Sequence, residues 1–327
     1  MNDLAETYRR FAERECKDYS PAYYRLALEV AEDSAVLGFV AQQPVTQPNL
    51  LFASVQYLTG PERMPLSSAA LHVFLKREGE TVASLMRTRR TQTNEVGRCA
   101  ALLPAMPAGP IALVEVGASA GLCLLLDKYH YDYGSAQVGD AGSPVQIRCK
   151  PHGPVPVPEI PPQIIWRSGL DLNPLDVRRQ DDADWLLACV WPDHPERRRR
   201  TQAAISIARQ EPPMVVAGDL VADLPDLLTK VPRDAQLVVF HSATLPYVAE
   251  GRRLGLASIL TEESHKRDVV WISNEVCGAI PELAAIAPEG TERAFLLGKT
   301  VLRAGHRVDS LLALAHPHGA ELRWLAH

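Results

Sequence analysis

Apolar positions follow two regimes along the chain. Up to about residue 105 they recur at helical spacing. Leu4, Tyr8 and Phe11 share one face, Ser20-Pro21 opens an apolar run to Ala31, and Pro48 precedes another that closes at Gly60-Pro61. Serine before proline is a favourable helix start, because the amide that proline lacks would have no partner there. A further helix is expected over residues 68–78. Residues 1–105 therefore read as a helical region that holds no strand.

From residue 106 the pattern changes to short continuous apolar runs, each ending in small or polar residues. The runs are 111–116 before Gly117, 164–170 before Asp171-Leu172-Asn173, 213–217 before Gly218-Asp219, 237–240 before His241-Ser242, and 269–272 before Ser273-Asn274-Glu275. Unbroken apolar strands separated by helical segments (122–129, 181–191, 196–209, 224–230 and 246–262) predict an α/β domain built on a parallel sheet. The tail, with apolar runs near 294–302, 310–315 and 320–325, predicts antiparallel pairing that finishes the sheet. Residues 134–163 are crowded with glycine and proline, which excludes helix and predicts an extended insertion with 145–149 as a strand. The expectation is a Rossmann-like domain over 106–327, with a mostly parallel seven-stranded sheet and an antiparallel C-terminal strand.

Composition narrows the class. A net charge of −5 and a pI near 6.1 offer no field for nucleic acid or a membrane surface. Arg197 to Arg200 read as a solvated helix face. No apolar run is long enough for a membrane span, the first residues are acidic and polar, and six cysteines are scattered with no Cys-x-x-Cys pair. These features predict a cytoplasmic protein with reduced thiols and a small-molecule partner. They say nothing of oligomeric state.

The chemistry is expected where the strand ends converge. Gly117 and Gly121 allow a sharp turn, and the amides that follow offer donors to a ligand. Two readings compete. With Glu115 below the first glycine, the turn suits a nucleoside cofactor such as S-adenosylmethionine. As Gly-x-Ser-x-Gly, it is a hydrolase nucleophile elbow on Ser119, with Asp219 or Asp226 and His241, His306 or His316 as later partners. On the first reading Asp171 and Asn173 stand where ribose hydroxyls would bind, and Asp219 where an adenine amino group would. His241, beside Ser242 and across from Asn274-Glu275, is the candidate general base, or else a histidine hydrogen-bonded under the cofactor's adenine or into the loop, with Ser242 beside it at the cofactor. The polar run 87–95 is either a solvated turn or a substrate contact through Arg87, Arg90, Asn94 and Glu95. His316-Pro317-His318 reads as a turn rather than a metal pair.

Several segments carry a resemblance. Residues 87–95 (RTRRTQTNE), 115–122 (EVGASAGL), 171–176 (DLNPLD), 238–243 (VVFHSA), 271–275 (WISNE) and 316–319 (HPHG) resemble the bacterial domain-of-unknown-function 2332 family, over nearly the whole chain. That likeness implies a bacterial protein. More widely, Glu115-x-Gly117-x-x-x-Gly121 and the acidic strand tips are similar to class-I S-adenosylmethionine-dependent methyltransferases. This implies that Gly117, Ala118, Ser119 and Gly121 face the cofactor's amino-acid part, Asp171 its ribose, and Asp219 with Leu220 its adenine. A protein that kept the fold and lost the chemistry is the remaining alternative.

Overall fold

The computed structural model describes residues 2–292 and 294–325. The chain divides into two compact units, residues 1–93 with 178–199, and residues 94–177 with 200–327. The sequence pattern changes at residue 105, whereas the backbone passes from one unit to the other at residue 93 and returns for the segment 178–199.

In the first unit, α1 (Asn2–Phe11), α2 (Pro21–Glu32), α3 (Ser34–Ala41), α4 (Pro48–Thr59) and α5 (Ser68–Thr88) surround an aromatic core. The Ser20 hydroxyl caps α2 by accepting from the Tyr23 amide, and Asp33 caps α3, each cap contributing about 1 kcal/mol. Helix α5 runs ten residues past the expected end at Glu78 because Val82, Ala83 and Met86 continue its buried stripe. The segment 178–199 joins these helices through buried polar groups. Gln56 donates to the carbonyls of Ala188 and Val190, and Ser20 donates to Asp193.

The second unit is a mixed α/β layer around one large sheet. Its strands are β1 (Pro110–Val116), β2 (His130–Asp132), β3 (Gln137–Val138), β4 (Gln146–Arg148), β5 (Lys150–His152) and β6 (Gln163–Asp171). β7 (Val215–Ala217), β8 (Gln236–Ser242), β9 (Val269–Val276), β10 (Phe295–Arg303), β11 (His306–Ala315) and β12 (Glu321–Trp324) follow. The large sheet has nine strands in the order β5-β12-β11-β10-β9-β8-β1-β6-β7. Strands β7, β6, β1, β8 and β9 run parallel, as the apolar runs predicted. The expected count of seven strands with one antiparallel strand is corrected. β10, β11 and β12 all pair antiparallel in succession, and β5, from the proline-rich insertion, closes the far edge beside β12. Two other strands of that insertion, β3 and β4, flank β2, which precedes it, in a small sheet of order β3-β2-β4.

The chain lays β6 and β7 on one side of β1, then returns to place β8 and β9 on the other. The reversal opens the sheet edge between the ends of β1 and β8, which is where open α/β sheets bind ligands. Side chains alternate between faces along a strand. Ala112, Val114, Val116, Leu237, Val239 and Trp271 fill the core on one face. Glu115, in register with Phe240 and through it with Ile272, lies on the opposite face, with Ser242 and Asn274.

The helix expected over 122–129 is corrected. Residues Leu122–Lys128 form 3-10 turns broken at Leu125. Tertiary bonds shape them: the Tyr129 and Tyr131 hydroxyls donate to the carbonyls of Leu122 and Leu126, and Arg167 donates to Leu124 and grips Asp127 at 2.6 and 2.9 Å.

Candidate functional site

The turn after β1 is assembled by its neighbours. Gly117 and Gly121 have φ of +74° and +69°, and Ser119 shares the left-handed region at +54°. The Gly117 amide donates to the Leu170 carbonyl at 2.8 Å, which ties the end of β1 to β6. The Ser119 amide donates to Asp171 Oδ2 at 2.7 Å, while the Asn173 amide occupies Oδ1 at 2.8 Å. Asn94 completes the turn by accepting from the Leu122 amide at 2.9 Å. Both glycines admit close neighbours: a Cβ at Gly117 would collide with Thr244, and one at Gly121 would press on Pro213 and Val215.

Three buried polar atoms around this turn have no hydrogen-bond partner: Glu115 Oε2, Ser119 Oγ and Asn274 Oδ1. Glu115 is 3 % exposed and Asn274 fully buried. Burial pushes the Glu115 carboxyl well above the usual carboxylate range. Cys123 and Asp171 add to the shift, and the Arg98 guanidinium only partly opposes it. An unsatisfied buried group of this kind costs about 1–3 kcal/mol, and such groups mark sites where an absent partner is expected. Asn274 Nδ2 donates to Ser242 Oγ at 2.9 Å, so the ends of β8 and β9 present a linked hydroxyl and amide.

His241 and Glu275 do not join this cluster. Strand alternation sends both to the core face, away from Ser242 and Asn274. His241 is fully buried, its Nδ1 lies 2.6 Å from Glu275 Oε1, and Trp271 Nε1 donates to its Nε2 at 2.9 Å. With Nε2 accepting, the ring proton sits on Nδ1 and is given to Glu275. Glu275 also accepts the Thr244 amide at 3.0 Å. Both ring nitrogens are thus engaged, which leaves His241 a positioning group for the 243–245 loop rather than the expected base. Ala243, at φ +55°, and Thr244, lying on Gly117, are the parts of that loop held in place.

Asp219 is also committed to structure. Its Oδ1 accepts the amides of Val221 and Ala222, and its Oδ2 pairs with Arg252 at 2.6 Å. Against the upward push of partial burial, the Ala222 and Val221 amides and then Arg252 hold its carboxyl below the ordinary range. Leu220 is buried in the core beside it. Asp219 Oδ1 is filled by two amides, while Oδ2, beside Arg252, keeps acceptor capacity as each Asp171 oxygen does.

The polar run 87–95 splits between the units. Arg87 and Arg90 are exposed in the helical unit, and Arg90 donates to the carbonyls of Arg87 and Arg89. Asn94 and Glu95 belong to the sheet unit. Glu95 is 2 % exposed, accepting from the Gly97 amide at 2.9 Å and from Arg200 at 2.7 Å. Sequence reading did not pick out Arg98 or Thr244, and its solvated helix face at Arg197 to Arg200 is corrected: Arg197 is buried and Arg200 reaches Glu95. Arg98 donates to Pro317 O at 2.9 Å and to Ser242 O at 3.4 Å, and lies over the Phe295 ring. Its only signal was its place three residues after Glu95.

Among the described residues no helix is long and apolar enough to cross a membrane, and no group of three or more His, Cys, Asp or Glu side chains is placed to hold a metal. Five of the six cysteines are buried and all six are free. Residues 5–324 match the family described as "Uncharacterized protein conserved in bacteria (DUF2332)". No curated protein matches, and no solved structure does.

Proposed function

The chain belongs to the bacterial DUF2332 family, and we propose that it is a Rossmann-like, S-adenosylmethionine-dependent methyltransferase acting on a small-molecule acceptor. The observation that carries this reading is the trio of buried, unpartnered polar atoms on Glu115, Ser119 and Asn274 beside the turn at the reversal of the sheet. Acceptors without donors suit a ligand that brings a cationic amine and hydroxyls. When bound, the cofactor supplies a methyl group made electrophilic by its sulfonium.

The fit differs between its parts. Glu115 and Ser119 suit the amino-acid end. Each Asp171 oxygen carries one backbone hydrogen bond, so its remaining acceptor capacity suits ribose hydroxyls. Asp219 Oδ2, beside Arg252, is the acceptor left for the adenine amino group. The protein's own contribution is positioning: Asp171 and Asn94 shape the turn, and the His241–Glu275 pair holds Thr244 over Gly117.

The hydrolase reading has less support. Ser119 Oγ has no histidine partner, and His241 faces the other side of the sheet. The test is thermal denaturation with S-adenosylmethionine, S-adenosylhomocysteine, adenosine and methionine. A ligand that binds only the native state raises the midpoint by mass action. A rise with both complete nucleosides, larger than with either half, supports the reading; no rise with any of the four rejects it.

A further inference from the structure

Arg98 brings a buried positive charge to this sheet edge. It closes the 3-10 turn Val96–Arg98 and is only 8 % exposed. Glu95 caps that turn by accepting the Gly97 amide, and the chain packs so closely there that a Cβ on Gly97 would strike His318 O. From this fixed backbone the guanidinium reaches past the ends of two strands. Nε donates to Pro317 O at 2.9 Å, just beyond β11, and Nη1 donates to Ser242 O at 3.4 Å, at the end of β8. The Phe295 ring backs the group, with Arg98 Cζ 5.7 Å from the ring centroid.

Among the described residues, both of these bonds end on main-chain carbonyls, and neither brings a negative charge to the guanidinium. Glu95 turns its Oε1 to Arg200 at 2.7 Å. Glu115 is near enough to feel Arg98, yet burial holds its carboxyl in the neutral form well above the usual range. A charge taken this far out of water is costly unless an opposite charge meets it. The 3.4 Å bond is long, and Nη2 has no acceptor among the described residues. The Nη1–Nη2 edge is therefore open, and a carboxylate takes such an edge by two parallel bonds. Asn274 meets Arg98 at Ser242: its Nδ2 donates to Ser242 Oγ at 2.9 Å, and its buried Oδ1 has no partner.

We propose that Arg98 anchors the carboxylate of a small-molecule ligand at this edge, with Asn274 Oδ1 accepting an N–H or O–H of the same molecule. The proposal deepens the methyltransferase reading and rests on it for the reaction that the ligand enters. Two sources share this chemistry: the amino-acid end of the cofactor, and an acidic methyl acceptor. A single negative charge fits the place. Glu95 lies in the same turn and Asp171 pushes Glu115 further up, so the second charge of a phosphate would meet repulsion. Binding supplies the counter-charge that the fold leaves out.

The test is thermal denaturation of the full chain as wild type, Arg98→Gln and Arg98→Lys, over a range of ligand concentrations. Acetate is compared with acetamide at equal ionic strength, and S-adenosylhomocysteine with methylthioadenosine, which lacks the amino-acid end. A ligand that binds only the native state raises the midpoint by mass action. Wild type is expected to prefer the carboxylate in at least one pair. Arg98→Gln abolishes that preference, and Arg98→Lys, which keeps the charge without the fork, raises the concentration needed about tenfold. A preference absent from wild type in both pairs, or unchanged in Arg98→Gln, overturns the proposal. If Arg98→Gln does not fold, Arg98→Lys decides in its place. Two supporting outcomes separate the sources. Loss of the S-adenosylhomocysteine preference assigns the carboxylate to the cofactor, and loss of the acetate preference alone assigns it to the acceptor. Wild type that binds neither nucleoside overturns the methyltransferase reading, and the acetate pair then decides the role of Arg98.

Discussion

The backbone amide of Ser119 donates to Oδ2 of Asp171 across 2.7 Å, so the acid at the end of β6 pins the turn that follows β1. The same carboxylate holds the Asn173 amide, and Ser119 keeps a φ of +54° in this setting. An acid that sequence alone assigns to a ligand is first of all a structural clamp, with acceptor capacity left over.

Asp171→Ala removes the acceptor of two charge-assisted bonds and is expected to destabilise the protein by about 2–3 kcal/mol, read as a lower urea midpoint. Asp171→Asn retains one good acceptor and loses about half as much. A neutral Asp171→Ala would mean that the turn holds itself.

Ser119→Gly relieves a left-handed residue of about 1 kcal/mol of strain, partly offset by the added freedom of the unfolded chain. The expected result is a net gain of about 0.5 kcal/mol in chemical denaturation. A loss above about 1 kcal/mol would show that the hydroxyl makes a stabilising bond in the folded protein. Hydrolysis of nitrophenyl esters is expected to stay at the buffer rate in wild type and variant alike.

His241→Ala leaves the Glu275 carboxylate buried with only the Thr244 amide, and the expected cost is about 3–5 kcal/mol in chemical denaturation. Trp271→Phe removes only the indole donor to Nε2 and costs about 1 kcal/mol. A His241→Ala protein as stable as wild type would contradict a structural His241–Glu275 pair.

The parallel strands, their polar ends and the turn after β1 were legible because continuous apolar runs closed by glycine or acid have few other uses in an α/β chain. Which tip residue faces which side was not. Strands buried on both faces carry no polar–apolar alternation, so His241 and Ser242 were equally good candidates by composition, and only the register with β9 separates them. The 3-10 turns at 122–128 depend on Tyr129, Tyr131 and Arg167, partners that local propensity does not see. Strand β5 escaped because a lysine-proline-histidine segment reads as loop until β12 offers it an edge.

Glu115 makes stability depend on pH. Burial raises its carboxyl well above the ordinary 4.5, so between the two values the folded protein holds a proton that the unfolded chain has lost. Stability from this group is present below the unfolded value and falls as pH rises toward the folded one. Glu115→Gln keeps the shape without the titration. Its urea midpoint relative to wild type is therefore expected to climb with pH above about 4.5, where the unfolded chain begins to ionise. A constant difference across that range would mean that Glu115 is ionised in the fold.

The most direct measurement of the central claim is calorimetric titration of S-adenosylhomocysteine into the wild-type chain, with Glu115→Gln alongside. The account predicts saturable one-site binding to wild type, weakened about tenfold in Glu115→Gln, whose amide cannot ionise to meet the ligand's cationic amine. Folded wild-type protein that gives no binding heat at millimolar nucleoside, and no rise in its melting midpoint, would contradict it.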